Sequence, residues 1–263
     1  MTKIISWLEA DLTIFCMLYF FQKKYPSDIY TIIDITNKPK SFFQSQTLVN
    51  FSKKWFYHDH INPKLEPNLN WLKNFEKKYD IDLWELGSND RIFNHYNEYY
   101  NFSKNQILSI LEQECRLFEK ILDEVQPDFL ITGITTLHHQ HLFYEICKAR
   151  GIKVLMFRQS FFIGKHILSS EFHSIGNAKS NDKFHINSME DAQNYFNARP
   201  YSSPAFARIG SKTDYLKAIL KFLFLSNTNI KTHYTYYGRT KFSVLKRTIV
   251  STIKKKTQRI FYE

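Results

Sequence analysis

The stretch PDFLITGITTLHHQHLFYEICKARGIKVLMFRQSFFIGKHILSSE, residues 127–171, reads as strand, polar turn, helix, strand and polar turn. Residues 129–134 and 152–157 are apolar and β-branched runs of strand length. Between them, residues 139–150 form a helix that Gly151 ends, a residue suited to the left-handed position after a helix. Parallel strands need such a crossover, and open α/β sheets bind ligands in the turns beyond the carboxyl ends of their strands. Both turns here carry polar and titratable side chains. The first holds Thr135, Thr136, His138, His139, Gln140 and His141; the second holds Arg158, Gln159, Ser160, Lys165 and His166.

Upstream, residues 104–125 place Ile107, Leu108, Leu111, Cys115, Phe118 and Leu122 at spacings of three and four, which predicts an amphipathic helix capped by Ser103. Gln126-Pro127 ends it. Nearer the start, residues 3–8 predict a first strand and residues 14–24 a helix capped by Asp11 or Thr13. Residues 29–35 predict a second strand. Residues 55–60 predict a third, with His58 and His60 on one face and Asp59 opposite. Residues 67–79 predict a helix, and residues 81–86 a fourth strand. Alternation of this kind predicts an α/β fold, a Rossmann-like, mostly parallel sheet flanked by helices, over residues 1–198.

Residues 199–263 are a basic, partly helical extension. They carry 14 Lys and Arg against Asp214 and Glu263, whereas residues 1–198 carry 22 against 23, so the net charge of +11 belongs to the last quarter. Helices are expected over residues 188–197, started by Ser188 and Asp191, over residues 215–225, and over residues 241–260. Aromatic residues interleave with the cations, a composition that suits anionic lipid or single-stranded nucleic acid, or simply a solvated helix.

Cys16, Cys115 and Cys147 show no paired spacing and read as reduced thiols. The longest apolar run, residues 14–21, has eight residues, too few to span a membrane, and Glu9 and Asp11 arrive too early for a signal peptide; a cytoplasmic protein is expected. Neither a Walker loop nor a G-x-G-x-x-G turn occurs, which argues against a P-loop NTPase or a standard dinucleotide enzyme.

His138, His139 and His141 begin a helix after a strand, where free N–H groups favour anionic or hydroxyl-rich ligands. His138 could act as a general base. The histidine spacing fits no common structural zinc pattern, and no metal is expected. Glu9 and Asp11 follow the first strand in the same layer, as candidate bases or, for Asp11, as a plain helix cap. His58-Asp59-His60 could reach that layer or be a polar strand end. Arg158 and Lys165 could neutralise phosphate.

ISWLEADLTIFCMLYFFQKKY at residues 5–25, DEVQPDFLITGITTLHHQHLFYEICKARGIKVLMF at residues 123–157 and SFFIGKHILS at residues 160–169 resemble the N-terminal half of capsular and surface polysaccharide biosynthesis proteins of the two-domain GT-B glycosyltransferase class. The resemblance implies a domain that binds a glycan or lipid-linked acceptor and faces a second domain or subunit holding a nucleotide-sugar. That sugar donor would be a substrate, with no cofactor. Glu9, Asp11 and His138 would be catalytic candidates; His139, His141, Arg158, Gln159, Ser160 and Lys165 would contact substrate. The basic segment would meet anionic lipid at the inner face of the membrane, with nucleic acid disfavoured. No second strand–helix repeat follows residue 200, so the donor-binding half of the class is not visible. The rival expectation is a non-catalytic interaction module that docks through its basic tail on membrane or nucleic acid.

Overall fold

A computed structural model describes residues 2–9, 12–35, 39–62, 64–96, 99–159, 166–172, 188–197 and 234–260, with 213, 217 and 220. It shows an α/β fold: one six-stranded, mostly parallel sheet flanked by helices. Strands β1 (Lys3–Leu8), β2 (Asp28–Ile33), β3 (Phe51–Phe56), β4 (Phe129–Gly133), β5 (Lys153–Gln159) and β6 (His166–Ser169) lie in the order β3-β2-β1-β4-β5-β6. The first five are parallel, and β6 folds back antiparallel on β5. Strand order reverses at β1, which has β2 on one side and β4 on the other. The crevice beyond the ends of β1 and β4 is therefore the topological switch point, where such sheets bind ligands.

Side chains alternate across β1, and each set joins a separate core. Ile4 and Leu8 pack with Phe15 and Leu18 of α1 (Thr13–Lys24) and with Phe43 of α2 (Pro39–Ser45). Ile5 and Trp7 face the larger core, built by α3 (Leu69–Tyr79), α4 (Leu83–Ser88), α5 (Lys104–Val125) and α6 (His138–Ala149). Trp7 is a hub there, with ring centroids 5.7 Å from Phe143, 5.9 Å from Phe118 and 5.8 Å from Tyr57. Helix α5 spans the residues its periodicity predicts. Ser103 and Gln106 form a reciprocal capping box at its start, and Gln126 takes the left-handed conformation at its end.

Several elements differ from the sequence reading. Residues 81–86 do not form a strand: Asp82 accepts the backbone N–H of Glu85 at 2.7 Å and starts α4 instead. Gly87 then lets α4 press on α5, since a Cβ there would lie 2.9 Å from Leu111 Cδ1. Strand β3 stops at Phe56, and Tyr57–His60 turn as a short 3-10 helix, so strand alternation does not govern His58 and His60. Leu12 is the cap residue of α1, with no side-chain bond, so Thr13 is the first helical residue rather than the cap. Strand β2 ends at Ile33, and Asp34 follows it, its backbone N–H donating to the Leu8 carbonyl at 2.8 Å. The second polar turn is partly a hairpin, with Arg158 opposite Ile167 and Gln159 opposite His166.

Beyond the sheet lie α7 (Met189–Asn197), started by Ser188 accepting from the Asp191 N–H, and α8 (Lys241–Ile260). The helix expected over residues 215–225 lies outside the described residues. The segment before α8 packs into the larger core. Tyr234 is completely buried there, and Tyr237 stacks on Phe102. Gly238 sits at φ +73°, and a Cβ on it would lie 2.1 Å from the Tyr99 carbonyl oxygen.

Candidate functional site

The turns after β1, β2, β3 and β4 all deliver polar side chains to one edge of the sheet. Glu9 follows β1, Asp34 follows β2, His58 follows β3, and the run from Thr135 to His141 follows β4. A Gln140 bridge spans the switch point: its amide donates to Glu9 Oε1, while its carbonyl oxygen accepts the Thr136 backbone N–H at 3.0 Å. Glu9 is thereby tied to the first polar turn.

Two buried clusters lie directly below. In one, Asp34 joins two imidazoles, meeting His58 Nε2 at 2.7 Å and His139 Nε2 at 2.9 Å. Burial would raise the Asp34 carboxyl, but His139 and His58 outweigh it and hold it well below the usual carboxylate range. In the other, His138 Nε2 lies 3.0 Å from Glu114 Oε1 and His138 Nδ1 lies 3.1 Å from Asp90 Oδ2. The second contact is ionic rather than a hydrogen bond, because Nδ1 is poorly aligned with that oxygen, which instead accepts the His138 backbone N–H. Burial alone would lower the His138 pKa, yet Glu114 and Asp90 drive it up to about 10. Burial raises Asp90, and His138 with the backbone N–H groups of Ile92 and His138 more than offsets this, leaving it at about 2.

Tyr57 donates its single hydroxyl proton to Glu114, so the 2.8 Å contact between the Tyr57 and Tyr234 hydroxyls must be donated by Tyr234. The relay runs Tyr234 to Tyr57 to Glu114. Burial, and then Glu114, keep both phenols neutral by raising them far above their ordinary value. His139 stacks on Tyr57 with centroids 4.7 Å apart and also contacts Trp7.

Beside these clusters a cleft of about 450 Å³ opens between α4 and the first polar turn. Glu85, Asn89, Asp90, Arg91, Thr135, Thr136, His138, His141 and Glu145 supply its polar wall, and Leu86, Leu137 and Phe172 its apolar one. Arg91 pins the turn by donating to the Thr136 carbonyl at 3.0 Å. His141 is half-buried, with Nδ1 3.0 Å from Thr135 Oγ1, Nε2 3.5 Å from Glu145, and its ring against Phe172.

The structure thus brings Glu9, His138, His139 and His141 to one edge but gives them unlike surroundings. His138 and His139 are buried among carboxylates, His141 lines the cleft, and Glu9 does not line it. Arg158 is half-buried on β5, and Gln159 closes that strand. Asp11, Ser160 and Lys165 lie outside the described residues. The chain also holds one D-x-D sequence, Asp80-Ile81-Asp82, on the rim of the cleft. Both acids serve helix ends: Asp80 is the left-handed cap of α3, and Asp82 starts α4.

Four participants escape a reading by segment. Asp34 looks like part of a strand, Asp90 like loop, Tyr57 like a strand residue, and Tyr234 like part of a basic tail. Glu114 leaves a signal, since it stands three residues after Leu111 and four before Phe118, on the apolar stripe of α5. Comparison of the chain with protein-family models, curated proteins and solved structures gives no match.

Proposed function

We propose that this chain is the acceptor-side domain of a GT-B-type glycosyltransferase in cell-surface polysaccharide assembly. The observation that carries the reading is the cleft at the carboxyl edge of the sheet, beside the switch point. Its carboxylates, amide, hydroxyls and imidazole, backed by Phe172, match a polyhydroxylated ring, which needs many hydrogen-bonding partners and one apolar face. The resemblance at residues 5–25 and 123–169 points the same way. In this reading His141 is the general base. Its Nε2 takes the proton of an acceptor hydroxyl, the oxygen attacks the anomeric carbon of the donor sugar, and the bond to the nucleotide phosphate breaks with its electron pair. A second domain or subunit supplies the nucleotide-sugar. Glu9, bonded to Gln140, fixes the turn that carries His141.

The test is binding of glycans, lipid-linked oligosaccharides and nucleotide-sugars by calorimetry, alone and with candidate partner domains. His141→Ala and Glu145→Gln, both at partly exposed sites, should each weaken acceptor binding about tenfold, the loss of roughly 1.4 kcal/mol expected for a hydrogen bond to a polar ligand group. No binding across the panel would sink the reading.

Helix α8 favours a second reading, a module that docks on anionic membrane. It carries seven Lys and Arg and no acid, and Phe242, Leu245 and Ile249 recur at spacings of three and four. That stripe faces outward, with Phe242 75% and Ile249 51% exposed. No helix among the described residues is long and apolar enough to cross a membrane, so the geometry is that of a helix lying in the interface. Sedimentation with anionic vesicles that Phe242→Glu abolishes, without any glycan binding, would favour this reading over the first.

A further inference from the structure

We propose that Glu114, His138 and His139 form a binding site for a divalent transition-metal ion of the zinc class. One ligand atom from each lies within 4.8 Å of the others, and all three residues are buried. Two imidazoles and a carboxylate are a ligand set that such ions favour. The inference goes beyond the proposed function and is independent of it, since a bound ion would serve an enzyme or a docking module equally.

The first argument is unspent bonding capacity. His139 Nδ1 and Glu114 Oε2 are fully buried and have no hydrogen-bond partner. Asp34 accepts from both His58 and His139, so Nε2 of His139 carries the proton and Nδ1 presents a bare lone pair. A lone pair and a carboxylate oxygen buried without donors are each costly. One cation satisfies both.

The second argument is orientation from behind. Metal-binding imidazoles generally give their other nitrogen to a carboxylate, which fixes the ring and raises its basicity. His139 has this support, with Asp34 accepting from its Nε2 at 2.9 Å, whereas Asp90 meets His138 Nδ1 only as an ionic contact at 3.1 Å. Tyr57 holds Glu114 through Oε1, the oxygen other than the unspent one.

Charge supplies the third argument. Three carboxylates lie around three imidazoles, Asp34 against His58 and His139, and Asp90 and Glu114 against His138. A divalent ion adds positive charge among these carboxylates without creating a new unpaired donor.

On binding, the ion takes His139 Nδ1, Glu114 Oε2 and His138 Nε2, and the proton that His138 shares with Glu114 leaves to solvent. Bonds of about 2 Å at tetrahedral angles set ligand atoms roughly 3.3 Å apart, so binding draws the three side chains together. His138 and Asp90 also line the cleft, which gives the ion a way in.

The experiment treats the full chain with a chelator, dialyses it against zinc or cobalt(II), and measures bound metal by elemental analysis. We expect about one ion per chain. Zinc at roughly a hundred times its Kd should raise Tm by about 5–10 °C, and cobalt should give the strong visible bands of a four-coordinate site with nitrogen ligands. His139→Ala and Glu114→Gln should each weaken binding at least about 100-fold. His60→Ala, outside the cluster, should leave it unchanged. Should either cluster variant fail to fold, the cobalt spectrum of the unaltered chain decides. No metal uptake and no Tm shift would overturn the proposal, as would binding that survives both cluster variants or is lost in His60→Ala; in those cases buried water satisfies the orphan atoms.

Discussion

Replacing Tyr234 with alanine tests whether the basic C-terminal segment belongs to the folded core. Its phenol is fully buried, lies among Phe93, Phe102, His58 and His138, and donates to Tyr57. Truncating an aromatic ring in such a setting costs about 3–5 kcal/mol, from lost transfer energy and the cavity left behind. For a chain of this size each kcal/mol moves Tm by about 2–4 °C, so Tyr234→Ala should lower it by roughly 6–20 °C. Tyr234→Phe keeps the ring and removes only the hydrogen bond to Tyr57. Because Tyr57 still donates to Glu114, that change should cost about 1 kcal/mol, or roughly 2–4 °C. Thermal and urea unfolding followed by far-UV circular dichroism separates the two, and a chain ending at residue 198 should melt lower as well. A Tyr234→Ala stability within about 0.5 kcal/mol of the unaltered chain would refute the reasoning, since surface changes have effects of that size.

Gly238→Ala should act through the same segment. A positive φ and a contact with a backbone carbonyl leave no room for a methyl, so a loss of about 1–3 kcal/mol is expected in urea unfolding. Asp34→Asn should destabilise the fold by about 3–5 kcal/mol in the same assay, because an amide cannot accept from two imidazoles with both of its polar atoms. With a chelator present, Tm should be highest between about pH 4 and pH 6.5. Asp34 and Asp90 have lowered pKa values, so their stabilisation is present above their unfolded value near 3.8 and falls away as pH drops through the folded ones. His138 is raised from 6.5 to about 10, so its contribution is complete below 6.5 and is lost as pH rises through about 10. His138→Gln should flatten the alkaline limb of the profile, and an unchanged limb would remove His138 as its cause.

Local patterns carried most of the fold. The 3.6-residue period fixed α5, Ser103 and Gln126-Pro127 marked its ends, and the strand–helix–strand unit at residues 129–157 supplied the crossover. Reading failed where a short element had two local solutions. Residues 81–86 are apolar enough for a strand, and only the Asp82 cap and the fit of Gly87 against Leu111 select the helix. Strand β6 is four residues long and exists because β5 offers it an edge.

The site divides the same way. Sequence alone determined that Glu9 and the turn from Thr135 to His141 lie at the carboxyl edge, because strand direction and connection length settle where those turns must go. It could not separate three neighbouring histidines by environment. Only tertiary packing buries His138 between Glu114 and Asp90, turns His139 toward Asp34, and leaves His141 lining a cleft. Those partners stand 24, 48 and 105 residues away from their histidines. Periodicity reports which face of an element is apolar; it is silent on which distant charge meets that face, and that meeting sets the protonation and the chemistry of the histidines.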